Sequence, residues 1–201
     1  MDVKFWDERY GEHESVYGAA PNAYLKEQLV NLKPGRVLFP AEGEGRNALF
    51  TASLGWKVRA FDQSSVARDK ALATAKRAGL ELDYIVLSSE HFPEVDFPEG
   101  YDLIGLFYAH MPSSVRKGFH AKLLKNLAPY GRLLLECFSP RQLEFSSGGP
   151  KDADLLYPVG QALEDFSSLS DLHVSEMLVE LDEGPFHQGT ASVIRVNGVR
   201  S

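Results

Sequence analysis

The chain has 201 residues, which at ~150 residues per domain points to one domain with room for a lid. Its hydrophobic content of 44%, aromatic content of 11% and charged content of 24%, without low-complexity tracts, give it a proper core and exclude a disordered chain. The formal net charge of −7 argues against a duplex nucleic-acid surface, which needs Lys and Arg to neutralise phosphates, and against a protein held on anionic lipid by charge.

The N-terminal segment MDVKFWDERYGEHES is polar and acidic, unlike a secretory signal, and no apolar run approaches the ~18 residues of a spanning helix. Cys137 is the single cysteine, so neither an internal disulfide nor a multi-thiolate zinc site is available. A soluble cytoplasmic protein without metal, nucleic-acid or membrane partners is expected. The oligomeric state stays open, with a monomer favoured.

Trp6 and Tyr10 stand at i and i+4, either as a packed stripe on a short helix or as part of a flap. A flap is preferred, because this segment precedes the first strand and has no other evident task. Segment 21–32 reads as a helix, with Pro21 at its start, Leu25, Leu29 and Leu32 on one face, and Pro34-Gly35 as its stop. A strand over 36–39, a helix over 46–54 closed by Gly55, and a strand over 57–61 ending at Asp62 follow. Ser64 caps an Ala-rich helix that stops at Gly79. Strands are expected at 82–87 and 101–108, a helix at 113–126 and a fifth strand at 133–138. On that last helix Val115, Phe119 and Leu123 share a face, and Arg116, Lys117, Lys122 and Lys125 read as solvated.

A Gly/Ser/Pro-rich stretch (FSPRQLEFSSGGPKD) then leads to a short helix around 161–166 and to two strands, 172–182 and 190–197, joined by DEGPFHQG. Five strands alternating with helices specify a doubly wound parallel sheet, because parallel neighbours need crossover helices. The late strands add an antiparallel hairpin. The expected fold is α/β: a mostly parallel seven-stranded sheet with helices on both faces and a C-terminal antiparallel hairpin, in one domain spanning 1–201.

The sharpest local signal is Ala41-Glu42-Gly43-Glu44-Gly45-Arg46-Asn47-Ala48, between the first strand and its helix. Glycines there let the backbone approach a ligand, and the unpaired N–H groups of a helix start face the same spot. Asp62, at the end of the next strand, is placed to accept from a ribose diol. An adenosine-type ligand follows. Gly43, Gly45 and Ala48 also fit G-x-G-x-x-A, a weak match on its own to a dinucleotide loop. A nicotinamide enzyme usually needs a second nucleotide half or substrate domain, and this chain offers a loop and a hairpin instead, which favours S-adenosylmethionine.

The sequence resembles the class I S-adenosylmethionine-dependent methyltransferases, in the branch of the tellurite-resistance methyltransferases. The resemblance is carried by Phe-Trp-Asp-Glu-Arg-Tyr (5–10), Tyr17-Gly18 with Pro21-Asn22, Gly43 to Ala48, and Phe61-Asp62-Gln63-Ser64. His110-Met111-Pro112, Gly148 to Asp152 and Glu183 to Gly189 extend it along nearly the whole chain.

This resemblance implies a Rossmann-like methyltransferase fold. The loop Gly43-Glu44-Gly45, with Asn47, would run beneath the methionine part of the cofactor. Asp62 would bind the ribose, Gln63 would flank the adenine, and Ser88 and Ser89 would lie at its edge. Phe107 would sit under the sulfonium. Trp6, Tyr10 and Tyr17 would belong to a flap over 1–24. The family's acid two residues before the first glycine is here Phe39, followed by Pro40 and Ala41, and Glu42 is the candidate to replace it from another direction. Ser88 stands where Asp or Asn is common.

Methyl transfer needs in-line positioning at ~3–3.5 Å and exclusion of water, which gives a flap its purpose. His is the usual base near neutral pH, and His110 and His187 fall where they would face the acceptor. The alternative for both is loop-shaping by hydrogen bonds. His13, His91, His120 and His173 read as surface or structural, and Cys137 as buried. Segment 139–158 is expected to form a substrate-side loop, with Arg141 and Lys151 available to an anionic acceptor. The leading expectation is methyl transfer to a small molecule, with a soft sulfur, selenium or tellurium nucleophile favoured by the resemblance. A non-catalytic S-adenosylmethionine-binding module and an NAD(P)-dependent reductase are the alternatives.

Overall fold

The computed structural model describes residues 2–94 and 96–201; Met1, the first residue of the expected flap, and Val95 lie outside the described residues. The strands are β1 (Arg36–Pro40), β2 (Lys57–Asp62), β3 (Asp83–Val86), β4 (Tyr101–Phe107), β5 (Leu127–Phe138), β6 (Ser170–Asp182) and β7 (Gln188–Val199). They form one sheet in the order β3-β2-β1-β4-β5-β7-β6. β1 to β5 pair in parallel, while β7 runs antiparallel to both β5 and β6. The helices are α1 (Val3–Glu12), α2 (Ala23–Leu29), α3 (Arg46–Ser53), α4 (Ser65–Ala78), α5 (Ser113–Lys125) and α6 (Val159–Asp165). The sheet and its late hairpin are those expected from the alternation of apolar runs.

Side chains alternate along a strand, so a sheet covered on both faces buries every residue of its central strands. In β1, Leu38 joins a core with Ile104, Leu133, Phe119 and Phe166, whereas its neighbours Val37 and Phe39 join Leu25, Ala48, Ala71 and Leu134 on the other side. α5 and α6 therefore cover one face, and α2, α3 and α4 the other.

Local chemistry sets the helix ends. Asp2 accepts from Phe5 N at 2.9 Å, Asn22 from Leu25 N at 3.0 Å, and Ser64 from Ala67 N at 3.1 Å. Gly79, in the left-handed region at φ 67°, closes α4. Asn22 as cap shortens the expected 21–32 helix to α2.

Two expectations are corrected. β5 begins at Leu127 rather than Leu133: Tyr101 pairs with Leu127 and Leu103 with Arg132, so two steps along β4 match five along β5. The extra residues bulge outward through Tyr130, at φ 63°, whose N–H is taken up by Arg200 O at 2.8 Å. Arg116 is not solvated but 2% exposed, donating to Leu156 O at 2.8 Å, Met111 O at 3.3 Å and Asp154 O. Its apolar stem and planar fork let one cation tie the start of α5 to the late loop.

Candidate active site

The chain runs from β1 outward through β2 and β3, then returns to β4 on the other side of β1. Ligands in open α/β sheets bind at such a reversal, beyond the carboxyl ends of the strands. Pro40 closes β1, where a missing N–H is tolerated. The loop then turns through Ala41, Gly43 and Gly45, with φ of 50°, 61° and 83°, into α3.

Polar groups clamp this loop from several sides. Gly43 N donates to Asp62 Oδ2 at 3.0 Å, and Ser64 N to Asp62 Oδ1 at 2.9 Å. The Tyr84 hydroxyl donates to Gly43 O at 2.5 Å. On the other side lies Tyr10, whose hydroxyl would stand 2.6 Å from a Cβ on Gly43. Burial, and then the charge of Asp62, keeps both phenols protonated well beyond the usual tyrosine range.

Gly45 has a different task. A Cβ there would meet Ala71 Cβ at 2.8 Å, so Gly45 serves the packing of α3 on α4 and does not line the cavity. Glu42 folds back over the first turn of α3, accepting from Ala48 N at 2.7 Å and Asn47 Nδ2 at 3.2 Å. It satisfies a donor the helix start leaves open, and burial lifts its pKa to about 7 against those hydrogen bonds. Glu44 accepts from Val16 N at 2.8 Å and Lys70 Nζ at 2.9 Å, anchoring the N-terminal segment.

A cavity of about 470 Å³ opens over this loop. Trp6, Tyr10 and Tyr17 wall it from the N-terminal side, with Trp6 and Tyr10 stacked at 5.6 Å between centroids. Glu42, Gly43, Glu44 and Asn47 form its base, and Asp62, Gln63, Ser88 and Ser89 one end. Ser88 also contacts His91 Nδ1 at 2.7 Å through its hydroxyl. Phe107, Tyr108, His110 and His187 close the other end.

A second chamber of about 550 Å³ shares Trp6, Tyr17, His110, Pro112 and His187 with the first. The loop expected on the substrate side supplies Gly148, Gly149, Pro150 and Lys151 to it. That loop is packed, not loose: Gln142 Nε2 donates to Ser147 Oγ at 2.9 Å, and Gln188 N to Ser147 O at 3.1 Å. Arg141 points elsewhere, to Glu144 at 3.4 Å.

His110 stacks on Phe138 at 5.6 Å, and its buried Nδ1 has no hydrogen-bond partner among the described residues. Burial, then the neighbouring His187, pushes its pKa down to about 3. His187 lies between the rings of Tyr17 and Tyr108, each at 4.6 Å, with Nδ1 3.3 Å from Glu183 Oε2. Burial lowers its pKa too, against the pull of Glu183. His120, read as structural, is fully buried against Asp165 at 2.7 Å, and Cys137 is buried, its pKa raised to about 12 by desolvation.

Beneath both chambers runs a buried polar network that sequence reasoning missed. Asn22 Nδ2 donates to Glu136 Oε1 at 2.6 Å, Arg195 Nε to Glu136 Oε2 at 2.6 Å, and the Tyr108 hydroxyl to Glu136 Oε1 at 3.0 Å. Arg46 pairs with Glu183 at 2.9 Å. One signal was present: Glu136 is an acid inside Leu-Leu-Leu-Glu-Cys-Phe (133–138), a run otherwise apolar and buried.

The geometry suits an adenosyl cofactor. The first chamber lies within the ~300–1,000 Å³ typical of cofactor sites. Asp62 is faced by three backbone N–H groups, of Ser64, Gly43 and Gln63, which leaves about one of its roughly four acceptor positions for a ribose hydroxyl. Among the described residues no cluster of His, Cys, Asp or Glu is arranged to hold a metal ion, and no helix is long and apolar enough to cross a membrane.

The family model described as tellurite resistance protein TehB matches residues 9–116, more than half of the chain. No curated protein matches it by sequence. Among solved structures, TehB from Haemophilus influenzae superposes with a TM-score of 0.74 at 14% identity, covering 99% of this chain and 67% of that one. A structure concerned with conversion of a disulfide bond into a thioacetal group during echinomycin biosynthesis gives 0.80 at 17% identity, covering 99% and 91%. Magnesium protoporphyrin IX methyltransferase from Synechocystis PCC 6803 gives 0.63 at 16% identity, covering 89% and 76%. With the glycine loop, its acidic partner and the sheet order in agreement with these matches, the chain belongs to the TehB family, a branch of the class I S-adenosylmethionine-dependent methyltransferases.

Proposed function

We propose that this protein transfers a methyl group from S-adenosylmethionine to a small soft nucleophile, a sulfur, selenium or tellurium centre, bound in the second chamber. One observation carries the reading: the cavity over Gly43 and Asp62 meets the second chamber along a shared wall of Trp6, Tyr17, Pro112, His110 and His187. The bound cofactor supplies an activated methyl, so the chain has to provide position and environment. Asp62 and the backbone of Gly43 hold the ribose and methionine ends. Glu42, easily ionised from a pKa near 7, serves the ammonium group. Phe107 and Tyr108 pack beside the sulfur. Residues 2–24, held shut by Glu44 and Lys70, keep water out, and 139–158 complete the acceptor side as part of the same unit.

The histidines support a soft acceptor. Both are held below the usual histidine range, so neither is a strong base toward an alcohol. A thiol or chalcogen anion reaches its reactive form without one, and the rings of His110 and His187 line the chamber that would hold it. The relatives are consistent with this chemistry, one being a tellurite-resistance protein and another concerned with a thioacetal. Calorimetry with S-adenosylmethionine, S-adenosylhomocysteine and NADH comes first, followed by a methylation screen over thiols, selenite and tellurite. Binding of the first two and a methylated chalcogen product are expected. NADH binding alone, or cofactor binding with no methylated product from any acceptor, rejects the reading.

A further inference from the structure

The second chamber has more room than a bare oxyanion needs, and aromatic rings make up part of its wall. Its about 550 Å³ falls in the range that encloses drug-sized organic ligands. Phe5, Trp6, Tyr17 and Phe186 present aromatic surface to it. Such surface favours a planar apolar body.

Two cations line the chamber: Lys151, whose Nζ donates to Phe145 O at 3.3 Å, and Arg9, which stands among these rings. The Arg9 guanidinium lies 4.6 Å from the Phe5 centroid, 5.6 Å from Trp6 and 5.0 Å from Phe186, and Arg9 donates to the Tyr17 hydroxyl at 3.5 Å. No carboxylate among the described residues pairs with it. Stacking fixes the plane of the fork and leaves its edge N–H groups available to a bidentate anion. The two carboxylates at the opposite rim are engaged: Asp152 accepts from Asp154 N at 3.0 Å and Asp154 from Ser113 N at 3.2 Å. His110 lines the chamber as well.

We propose that the acceptor is an organic molecule with an aromatic ring and an anionic group, clamped through that group by Arg9, with its nucleophile presented at His110. An aromatic thiol bearing a carboxylate is the simplest member of the class. This rests on the methyl-transfer reading above for the fate of the thiol: its sulfur gains the methyl carbon, the methyl–sulfonium bond breaks with its electron pair going to the departing thioether, and the thiol proton goes to solvent. The binding claim is separable from that step.

Three probes separate the recognition elements by calorimetry, each with and without S-adenosylhomocysteine. 2-Mercaptobenzoate has ring and charge, 2-mercaptobenzamide has the ring alone, and selenite has charge alone. Wild-type protein is expected to bind 2-mercaptobenzoate best and selenite least. Arg9→Gln should weaken 2-mercaptobenzoate about tenfold, as for loss of a charge-assisted pair, while 2-mercaptobenzamide is unchanged. Arg9→Lys, which keeps charge without the planar fork, should fall between them and covers the case of a poorly folded Gln variant. Selenite binding as tightly as 2-mercaptobenzoate, or equal losses of all probes in both Arg9 variants, overturns the proposal. If the aromatic acid binds and S-adenosylhomocysteine does not, the chamber assignment stands and the methyl-transfer reading falls.

Discussion

The Arg46 guanidinium and the Glu183 carboxylate meet at 2.9 Å, each side chain only 10% exposed, and so join the first residue of the cofactor-side helix to the turn between β6 and β7. The same carboxylate faces His187 Nδ1 at 3.3 Å and Asn22 Nδ2 at 3.4 Å through its two oxygens. Two loops 137 residues apart are thereby fixed as one wall. Removing one partner of a buried pair leaves an uncompensated charge, which costs about 3–5 kcal/mol. Glu183→Ala is therefore expected to lower the unfolding free energy by about 3 kcal/mol in urea titrations. A change below about 0.5 kcal/mol would mean that water replaces the carboxylate at no cost.

Asp62, which accepts from the Gly43 and Ser64 N–H groups, is the ribose ligand in the proposed function. Asp62→Asn replaces one acceptor oxygen by a donor facing either Gly43 N or Ser64 N, and removes the charge offered to a diol. Hydrogen bonds to charged groups contribute about 1.5–3 kcal/mol, so S-adenosylhomocysteine should bind roughly tenfold to a hundredfold more weakly by calorimetry. Unchanged affinity would place the ribose elsewhere.

Glu42 gives a pH signature. Its folded pKa near 7 lies above the ordinary carboxylate value of 4.5, so between those values the folded state holds a proton that the unfolded state has lost. Its contribution is full below pH 4.5, falls as pH rises through 7, and is constant above. Glu42→Gln should raise stability at pH 8 by up to about 3 kcal/mol and change it little at pH 4.5. The readout is urea unfolding across that range, and equal effects at both ends would show that Glu42 titrates normally.

His110 runs the opposite way. An unfolded histidine protonates below about 6.5, whereas the folded ring stays neutral until about 3. Stability associated with it is present above pH 6.5 and is lost as pH falls toward 3. Nitrogen chemical shifts of labelled histidine should show a neutral His110 from pH 8 down to 4, and His110→Phe should flatten the acid limb of the stability profile. A midpoint near 6 would restore His110 as a candidate base.

Periodicity and turn chemistry made much of this molecule legible. The Ser64 cap, the Gly79 stop and the alternation of β1 to β5 with helices are local signals, and local physics decided them. Asp62 could be placed because a strand end two elements away is geometrically constrained once the sheet is parallel. Gly45 misled, because a glycine required by Ala71 on a neighbouring helix looks the same in sequence as one required by a ligand. Arg116 misled likewise: its helical position is polar in pattern, and the late loop, folded over it, adds the Leu156 and Asp154 carbonyls to that of Met111.

The sequence by itself determined the doubly wound sheet, its terminal hairpin, and the glycine loop over which the first cavity opens. These follow from spacings of a few residues, where side-chain period and cap chemistry act. Tertiary structure alone decided that Glu136, Arg195, Asn22, Glu183 and Arg46 form a network, that His110 packs on Phe138 at the cavity wall, and that Arg9 faces a chamber with no carboxylate partner among the described residues. Desolvation and pairing depend on distances between segments as far apart as positions 22 and 136, and nothing in the chain between two such residues records that they meet.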